Sequence, residues 1–462
     1  MGAEAKGGSA GYTRLSAMHL ASTSLSAATA VSGAVGLLSV LLLVASRTPL
    51  GSPLFFGLIL IFVLAYLAML ARVWHEDASD RRAIRLALIF AVLFRLPLAL
   101  APVGPDSDMV RYLWDGRVQQ RGFSPYAVVP SDPAMAATHT SESERMPSRY
   151  ARTPYPPAAQ LFFRLVVGIH DSTLAMKLAL FVCDMLTIVV LSRWLIAIGC
   201  SEWLTLAYAW NPFVVMEVAH SGHIDGLGAL WLVAAAYWLT RRRTALATIA
   251  YVLAVATKFL PIVLAPLFVG RIRVRDAAIG VALLALLYLQ FYGLASPGTD
   301  AGATNGVPLG AVLNVVAYIR FNGPVFLGIA SVSSAPIAAG VAVVAGLGAA
   351  ALARWQRPVT DPAAWAWPMA VALACAPVIY PWYLLYLTPF LWTRATLPLL
   401  AWCFSGLTAY VVWDLSRHGG RWIVPAGAQA FELAVPIAVA IALTIERRRR
   451  VLRRDSAASL HS

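Results

Sequence analysis

Two acidic residues that open the longest polar stretch of the chain have the types and spacing for proton transfer. The stretch covers residues 102–157 and begins PVGPDSDMVRYLWDG, with Asp106 and Asp108 separated by one serine. A carboxylate whose pKa is tuned by its surroundings is a competent general base, and a like charge so close can raise that pKa. Asp108 is therefore the candidate base and Asp106 its neighbour. The alternative is structural, since Asp108 could pair with Arg111 one helical turn later.

The same stretch is long for a connection, and aromatic rings alternate with its charges. Loops of more than about 15 residues inside a compact protein are usually functional or disordered. Turn signals such as Gly122 and the aromatic content argue against plain disorder, so we predict an active-site loop. A solvated connector is the alternative. The candidate substrate-binding residues of this loop are Tyr112, Asp115, Tyr126 and Tyr155.

A lysine, Lys258, lies within the apolar run of residues 244–270 and three positions before Pro261. At membrane depth a charge costs about 2.5–3.5 kcal/mol on insertion scales. A phosphate partner would explain it, because an ammonium binds phosphate as a point charge. An unpaired lysine here also predicts that Lys258→Met keeps the protein stable or stabilises it. The alternatives are that the side chain snorkels to the interface or pairs with a buried acid such as Glu217.

Further polar groups follow another apolar stretch, in the string VMEVAHSGHIDG. Glu217, His223 and Asp225 are candidates for binding substrate. His223 and Asp225 are spaced to line one turn, but they lack a clear third ligand, which disfavours a metal site. Each group taken singly could be an interfacial residue, whereas several aimed at one face indicate a shared cavity.

Two strings in the second half of the chain add cationic and aromatic candidates. Arg320 lies in YIRFNGP and belongs to the polar groups expected on the outer side. Trp382 and Tyr383 lie in IYPWY, where aromatic residues beside a proline suit sugar stacking. The same string is equally typical of an aromatic belt at the membrane interface.

The composition places these groups in a membrane protein. Of 462 residues, 60% are hydrophobic and 13% charged, whereas about 25% of a soluble domain is charged. Apolar runs of about 18 or more residues recur, which predicts an all-α polytopic membrane protein. The net charge of +14 comes with arginines clustered at the ends of apolar runs, so it does not indicate nucleic-acid binding. The four cysteines lie in or beside apolar runs, which disfavours a disulfide framework and a zinc site.

Arginine clusters orient the predicted helices, because cytoplasmic loops carry an excess of Lys and Arg. Clusters within residues 72–85, 241–243 and 271–275 and in the C-terminal ERRRRVLRR place both termini in the cytoplasm and residues 102–157 outside. We expect about 12–14 transmembrane or half-membrane helices. The predicted spans lie near residues 24–45, 50–71, 83–101, 173–197, 204–219, 227–240, 277–294, 335–355, 363–378, 397–413 and 424–445, with a short return at 384–392.

Three segments depart from simple spans. Residues 244–270 have arginines at both ends, so we predict two half-length helices with a turn near Lys258 and Pro261. The pair Asn211-Pro212 should kink the helix that contains it. The short apolar segment after residue 157 is expected to lie in the interface plane.

The whole chain is predicted to form one transmembrane catalytic domain at residues 24–446. Residues 1–23 are mostly small and polar and are expected to form a cytoplasmic tail, and residues 447–462 a basic cytoplasmic tail. The first apolar run is long enough to span a membrane, so we expect no cleavable signal peptide.

Five strings of the sequence resemble one family. SDMVRYLWDGRVQQRGFSPY resembles the first outer loop of bacterial GT-C superfamily glycosyltransferases that use polyprenyl-phosphate sugars. These include family-87-like mannosyltransferases and, more distantly, the first mannosyltransferase of the glycosylphosphatidylinositol pathway. TPYPPAAQ, WNPFVVMEVAHSGHIDG, TKFLP and YPWY resemble further motifs of these enzymes, in one order across residues 83–390. The family often has an adjacent Asp-Asp pair, whereas Ser107 precedes Asp108 here, so only Asp108 aligns.

This resemblance implies a multi-pass enzyme of the bacterial cytoplasmic membrane that moves a hexose, expected to be mannose, from a polyprenyl-phosphate carrier. The acceptor would be a hydroxyl of a lipid, glycan or protein at the outer face. It implies inversion in a single displacement, with Asp108 taking the acceptor proton and Lys258, helped by Arg111 or Arg320, stabilising the leaving phosphate. No metal or other cofactor is required in principle, and the partners are the donor, the acceptor and membrane lipids.

Two other classes stay open at this point. A lipid-linked-glycan flippase or transporter would need polar residues along the whole path, whereas here they concentrate on one side. A glycan polymerase or ligase would share the chemistry of the outer loop but use a diphosphate-linked donor.

Overall fold

The structure is a computed structural model that describes residues 9–75, 80–103, 108–146, 148–292, 294 and 319–459, and it is mostly helical. Within these ranges the chain has no β-strand and one isolated parallel bridge, between Phe321 and Val378. The α-helices are α1 (Ser9–Ala45), α2 (Pro53–His75), α3 (Arg81–Leu100), α4 (Asp108–Gln120), α5 (Pro157–Ile169), α6 (Thr173–Ala197), α7 (Leu206–Ala209), α8 (Pro212–Val214), α9 (Asp225–Thr240), α10 (Thr244–Thr257), α11 (Val274–Leu289), α12 (Pro324–Val332), α13 (Ala335–Gln356), α14 (Pro362–Ala374), α15 (Leu397–Gly406), α16 (Val411–Arg417) and α17 (Ala426–Ser459). A π-helix covers Val215–His220, and the longer 3₁₀-helices cover Pro133–Thr138, Leu260–Phe268 and Pro381–Tyr386.

Seven helical segments of the described chain are long and apolar enough to cross a membrane. Shorter apolar helices, α5, α10 and α14, accompany them. The predicted all-α polytopic membrane protein is therefore confirmed. The seven segments are Leu25–Ala45, Pro53–Trp74, Arg81–Leu100, Thr173–Ala197, Ala335–Gln356, Arg394–Arg417 and Ala426–Arg450.

The predicted break at Asn211-Pro212 is present. The side chain of Asn211 accepts a hydrogen bond from the Phe213 amide at 3.0 Å, and helix α8 starts at Pro212. The chain continues into the π-helix Val215–His220, a rare form that often occurs at functional sites. The predicted span at 204–219 is thus a series of short helical pieces instead of one helix.

The predicted pair of half-length helices between residues 244 and 270 is also present. Helix α10 ends at Thr257, and Lys258 is extended, with φ −160° and ψ 146°. The chain then forms the 3₁₀-helix Leu260–Phe268. The turn leaves Lys258 at a break in the helical backbone, where its side chain can face a cavity.

Much of the predicted outer loop is helical. Helix α4 packs on α5, where Tyr112 stacks on Phe163 with ring centroids 4.5 Å apart. Gly116 allows the close approach, because a Cβ atom there would lie 2.6 Å from Val167 Cγ2 and 2.8 Å from the Phe163 carbonyl oxygen. This packing fixes the helix whose first residue is Asp108.

A buried ion pair joins α3 to α6. Arg95 Nε lies 2.5 Å from Asp184 Oδ2, and both side chains are fully buried. Arg95 also donates to the Ala209 carbonyl at 2.6 Å, and the Tyr208 hydroxyl donates to Asp184 at 2.8 Å. The pair therefore also holds α7, which precedes the π-helix.

Another buried cation, Lys177 on α6, binds the C-terminal end of α3. Lys177 Nζ donates to the carbonyl oxygens of Leu98 at 2.6 Å and Ala101 at 2.7 Å. A cation suits the C-terminal end of a helix, where carbonyl groups lack helical partners. This contact fixes the point at which the chain leaves α3 toward Asp108.

Candidate active site

A cavity of about 680 Å³ brings together polar groups from three separate helical segments. Asp108 at the start of α4, Asp225 at the start of α9 and Lys258 after α10 all line it. Most of the remaining lining is apolar. Its aromatic lining residues are Tyr155, Phe259, Tyr380, Trp382, Tyr383, Tyr386, Trp413 and Trp422.

Asp108 lies in the first turn of α4, with its side chain 32% exposed. A carboxylate is stabilised at a helix N-terminus by the helix dipole. Desolvation nevertheless raises the pKa of Asp108 above its ordinary value, while the charge of Lys258 opposes the rise and that of Asp225 adds to it. The residue can thus exchange a proton with a ligand in the cavity. Its sequence neighbour Asp106 lies outside the described residues.

Lys258 is ion-paired with Asp225. Its Nζ lies 2.8 Å and 2.9 Å from the two carboxylate oxygens and 3.9 Å from the centroid of the Tyr383 ring. The lysine side chain is 20% exposed and that of Asp225 1%. The considered pairing with Glu217 is wrong, and so is the premise that Lys258 is unpaired.

Glu217 instead forms a buried link with His223. Its Oε2 lies 3.3 Å from His223 Nε2, and the Tyr410 hydroxyl donates to both carboxylate oxygens at 2.9 Å and 2.8 Å. The other ring nitrogen of His223, Nδ1, lies 3.9 Å from Asp108 Oδ2. A row of contacts therefore runs from the protein core to the cavity, through Tyr410, Glu217, His223 and Asp108 in that order.

Four rings stack in series beside this link. His223 stacks on Trp382 with centroids 4.1 Å apart and planes 11° apart. Trp382 stacks on Tyr380 at 4.4 Å and 4°, and Tyr380 on Phe321 at 4.3 Å and 27°. We call these four residues the ring stack. The IYPWY string thus packs against protein rings as well as lining the cavity.

The Phe321 end of the ring stack is anchored by backbone and side-chain hydrogen bonds. The Phe321 amide donates to the Pro377 carbonyl at 3.1 Å, and the Ile379 amide to the Phe321 carbonyl at 2.8 Å. Next to it, Asn322 Nδ2 donates to Glu432 Oε2 at 2.5 Å. The stack is therefore tied both to the segment before Tyr380 and to α17.

Arg320 lies beside the cavity. Its Nη1 donates to its neighbour, the Ile319 carbonyl, at 2.8 Å, and its guanidinium carbon lies 4.7 Å from the centroid of the Phe326 ring. Ile319 lines the cavity, whereas Arg320 is not part of the lining. A side-chain rotation would be needed to bring the guanidinium to a bound phosphate.

Arg111 and Asp115 lie within residues 102–157 and are not part of the cavity lining. Arg111 Nε donates to Asp115 Oδ1 at 2.8 Å. Asp115 Oδ2 accepts from the Thr153 hydroxyl at 2.6 Å and from Gln160 Nε2 at 2.7 Å. The buried carboxylate of Asp115 holds α4, α5 and the segment before α5 together.

Of the three candidate tyrosines in residues 102–157, Tyr155 lines the cavity, and Tyr112 and Tyr126 make hydrogen bonds behind it. Tyr155 lines the cavity, and its carbonyl accepts from the Tyr126 hydroxyl at 3.0 Å. The Tyr112 hydroxyl accepts from the Ile224 amide at 3.4 Å. Tyr112 therefore connects α4 to the turn that carries His223.

Several cavity residues were missed by sequence reasoning. Trp413, Ser416 and Trp422 line the cavity, and Tyr410 holds Glu217. The string YVVWDLSRHGGRW carries two tryptophans and a charged turn after an apolar run, and this polar end was a usable signal.

An all-α membrane fold with a carboxylate and a lysine at one cavity agrees with the class implied by the sequence resemblance, a GT-C-type membrane glycosyltransferase. Residues 8–275 match the model of the MptA_B family, described as alpha-(1->6)-mannopyranosyltransferase, N-terminal domain. The chain belongs to this family, and the predicted mannosyltransferase class is confirmed. Comparison with curated proteins and with solved structures gives no match. The matched part contains Asp108, Asp225 and Lys258, and the IYPWY string lies beyond it.

Proposed function

We propose that this mannosyltransferase takes mannose from a polyprenyl-phosphate carrier and transfers it to a hydroxyl acceptor at the outer face, inverting the configuration at the sugar C1. The observation that carries the proposal is that Asp108 and Lys258 line one cavity in a member of this family. A base and a cation beside the same space suit the two ends of a displacement reaction.

In the proposed reaction the acceptor oxygen attacks C1 of the mannose while the bond from C1 to the phosphate oxygen breaks. Asp108 takes the proton of the acceptor hydroxyl, and the leaving phosphate keeps the electron pair of the broken bond. Inversion that gives an α-mannoside requires a β-linked donor. We therefore expect a polyprenyl β-phosphomannose.

Lys258 would stabilise the charge that develops on the leaving phosphate. An ammonium has three N–H donors, of which two are directed to Asp225. Asp225 thus orients the amine, and Lys258 still lines the cavity. Arg320, beside the lining residue Ile319, is the proposed second cation.

The apolar and aromatic lining suits the other parts of the substrates. Rings such as Trp413 and Tyr383 present apolar surface to the C–H faces of a sugar or to the first isoprene units of the carrier. The family description supports an α-(1→6) linkage, hence an acceptor with a primary hydroxyl, such as a mannoside. We further propose that residues 24–446 form one catalytic domain in the bacterial cytoplasmic membrane, with the cavity facing outside.

A transfer assay tests the proposal. The full chain in lipid nanodiscs would be given a mannoside acceptor and, in turn, polyprenyl β-phosphomannose, a polyprenyl-diphosphate-linked mannose and a nucleotide-diphosphate mannose. We expect product from the first donor alone, with an α linkage to O6 by NMR, and none with Asp108→Asn. Product from the diphosphate lipid would favour a polymerase or ligase. If the protein in sealed vesicles instead moved an intact lipid-linked sugar across the membrane without transferring the sugar, a flippase would be favoured.

A further inference from the structure

We propose that His223 is a positioning residue whose Nδ1 atom receives the proton collected by Asp108, giving an imidazolium stabilised by Glu217, until the proton returns to water. The proposal deepens the proposed function and rests on it, because it assumes that Asp108 is the base. It is drawn from the buried link between Glu217 and Asp108 and from the ring stack.

Glu217 sets the tautomer of His223. The Glu217 side chain is fully buried, and its two oxygens accept from the Tyr410 hydroxyl at 2.9 Å and 2.8 Å. Its Oε2 lies 3.3 Å from His223 Nε2. Burial raises the pKa of Glu217 to about 8, and the hydrogen bond from Tyr410 opposes this rise. Above that pH the ionised carboxylate only accepts hydrogen bonds, so Nε2 carries the hydrogen and Nδ1 carries a lone pair. Burial, followed by the charge of Lys258, holds the pKa of His223 well below its ordinary value, so the resting ring is neutral.

The lone pair of Nδ1 faces the proposed base. Nδ1 is buried, has no hydrogen-bond partner among the described residues, and lies 3.9 Å from Asp108 Oδ2. A buried acceptor without a partner is uncommon and costs free energy. This distance is too long for a hydrogen bond. While Asp108 is ionised there is also no hydrogen between the two acceptor atoms. Once Asp108 has taken a proton, its O–H can donate to Nδ1 after a small side-chain movement.

The surrounding structure keeps the ring in this orientation. The His223 amide donates to the Glu217 carbonyl at 3.0 Å, so the backbone holds the two residues together. The imidazole also stacks on Trp382, whose ring continues into Tyr380. Rotation of the imidazole away from Asp108 would break both the stacking and the contact with Glu217.

The proposed step conserves atoms and charge. After transfer, the O–H bond of protonated Asp108 breaks and an N–H bond forms at His223 Nδ1, giving an imidazolium beside the Glu217 carboxylate. The charge of Lys258 disfavours this imidazolium, whereas the neighbouring carboxylates of Asp108 and Glu217 favour it. The proton then returns through Asp108 to water in the cavity after the products leave.

Azole rescue tests the proposal in the full chain in nanodiscs, at a pH above about 8 where Glu217 is ionised. His223→Ala should lower kcat by about 100-fold, the lower end of what acid–base catalysis contributes. Added imidazole should restore kcat, whereas 1,2,4-triazole, which has the same shape and is a weaker base, should restore it much less. Equal rescue by the two azoles would mean that the ring only fills space, and this result would overturn the proposal. Unchanged kcat in His223→Ala would overturn it as well.

A second variant covers the case in which His223→Ala does not fold. Glu217→Gln keeps the shape and a hydrogen bond from Tyr410 but removes the charge that stabilises the imidazolium. We expect kcat to fall at least tenfold while donor and acceptor KM stay within about twofold. A raised KM with normal kcat would instead make the group a support for binding and contradict the proton role. His220→Gln is the matched control, because His220 contacts Ser221, and it should leave kcat unchanged.

Failure of this proposal can be told apart from failure of the proposed function. If Asp108→Asn keeps normal transfer, the base assignment fails and the proton route to His223 fails with it. If Asp108→Asn is inactive and His223→Ala keeps normal kcat without any azole effect, only the role of His223 is wrong.

Discussion

The Nζ atom of Lys258 lies 2.8 Å and 2.9 Å from the two carboxylate oxygens of Asp225, whose side chain is 1% exposed. The pair joins the start of α9 to the break after α10 and forms the cationic side of the cavity. Each residue therefore has a structural and a proposed chemical role, and the two roles can be separated by experiment.

Lys258→Met should destabilise the protein, contrary to the expectation from an unpaired lysine. It leaves the Asp225 carboxylate buried without its cation, which costs about 3 kcal/mol, the lower end for breaking a buried pair because Lys258 is 20% exposed. A lowered midpoint in thermal unfolding in detergent would show it. The double variant Lys258→Met with Asp225→Leu should recover most of this stability and still lack transfer. Stability equal to the parent in the single variant would contradict the pairing.

Asp108→Asn should abolish turnover without unfolding the protein. The substitution keeps the size of the side chain and removes its basicity, so transfer should fall by about 10²–10⁴-fold. The measurement is single-turnover transfer from polyprenyl β-phosphomannose, with thermal unfolding as the check on folding. Asp106→Asn is the comparison variant. If it is inactive and Asp108→Asn is nearly normal, the base has been assigned to the wrong aspartate.

Transfer should be lost on the acid side at a higher pH than for an ordinary aspartate. Desolvation raises the pKa of Asp108, so protonation removes the base as pH falls through a value above about 3.9. Because Lys258 opposes this rise, the residual activity of Lys258→Met should fall off at a still higher pH. The acid limb of the pH profile of kcat, measured for the parent protein and for Lys258→Met, tests both expectations. An acid limb at or below the ordinary aspartate value would count against Asp108.

Cysteine labelling tests the orientation in the membrane. In a background without the native cysteines, Thr140→Cys should react with a membrane-impermeant thiol reagent from outside, and Arg242→Cys should not. Both positions are exposed in the structure, so access depends on the side of the membrane. Inside-out vesicles should reverse the pattern. Labelling of residue 242 in intact cells would invert the whole arrangement.

Arg111 is expected to act through the outer loop. Its guanidinium pairs with Asp115, whose other oxygen holds Thr153 and Gln160. Arg111→Met should therefore lower the thermal unfolding midpoint while the donor KM changes by less than about threefold. Arg320→Met is the matched comparison and should raise the donor KM more. A large rise in donor KM for Arg111→Met alone would move the phosphate site toward α4.

The sequence was sufficient for features that depend on local backbone chemistry. The predicted span at 83–101 agrees with α3 (Arg81–Leu100) within two residues, because arginines and a polar loop bound its apolar run. The break at Asn211-Pro212 was predictable because proline removes a backbone donor and disfavours helix before it. The turn at Lys258 was predictable because arginines lie at both ends of residues 244–270.

Contacts between distant segments could not be predicted in the same way. Two buried acids, Glu217 in the π-helix and Asp225 at the start of α9, were both available to Lys258, and the sequence pattern does not specify which one faces it. The ring stack joins residues 223 and 321, almost a hundred positions apart, through IYPWY. Its partners depend on the packing of whole helices, which a pattern of types along the chain does not specify.

The Arg95–Asp184 pair has a consequence for biogenesis. Its two charges lie 89 positions apart on α3 and α6, so during synthesis α3 enters the bilayer long before its counter-ion exists. At about 5–20 residues per second, Arg95 waits roughly 4–18 seconds for Asp184. An unpaired arginine at that depth costs about 2.5–3.5 kcal/mol on insertion scales, so the nascent helix should stay beside the insertion machinery until α6 arrives. Crosslinking of chains stalled before and after residue 184 to that machinery should show the release.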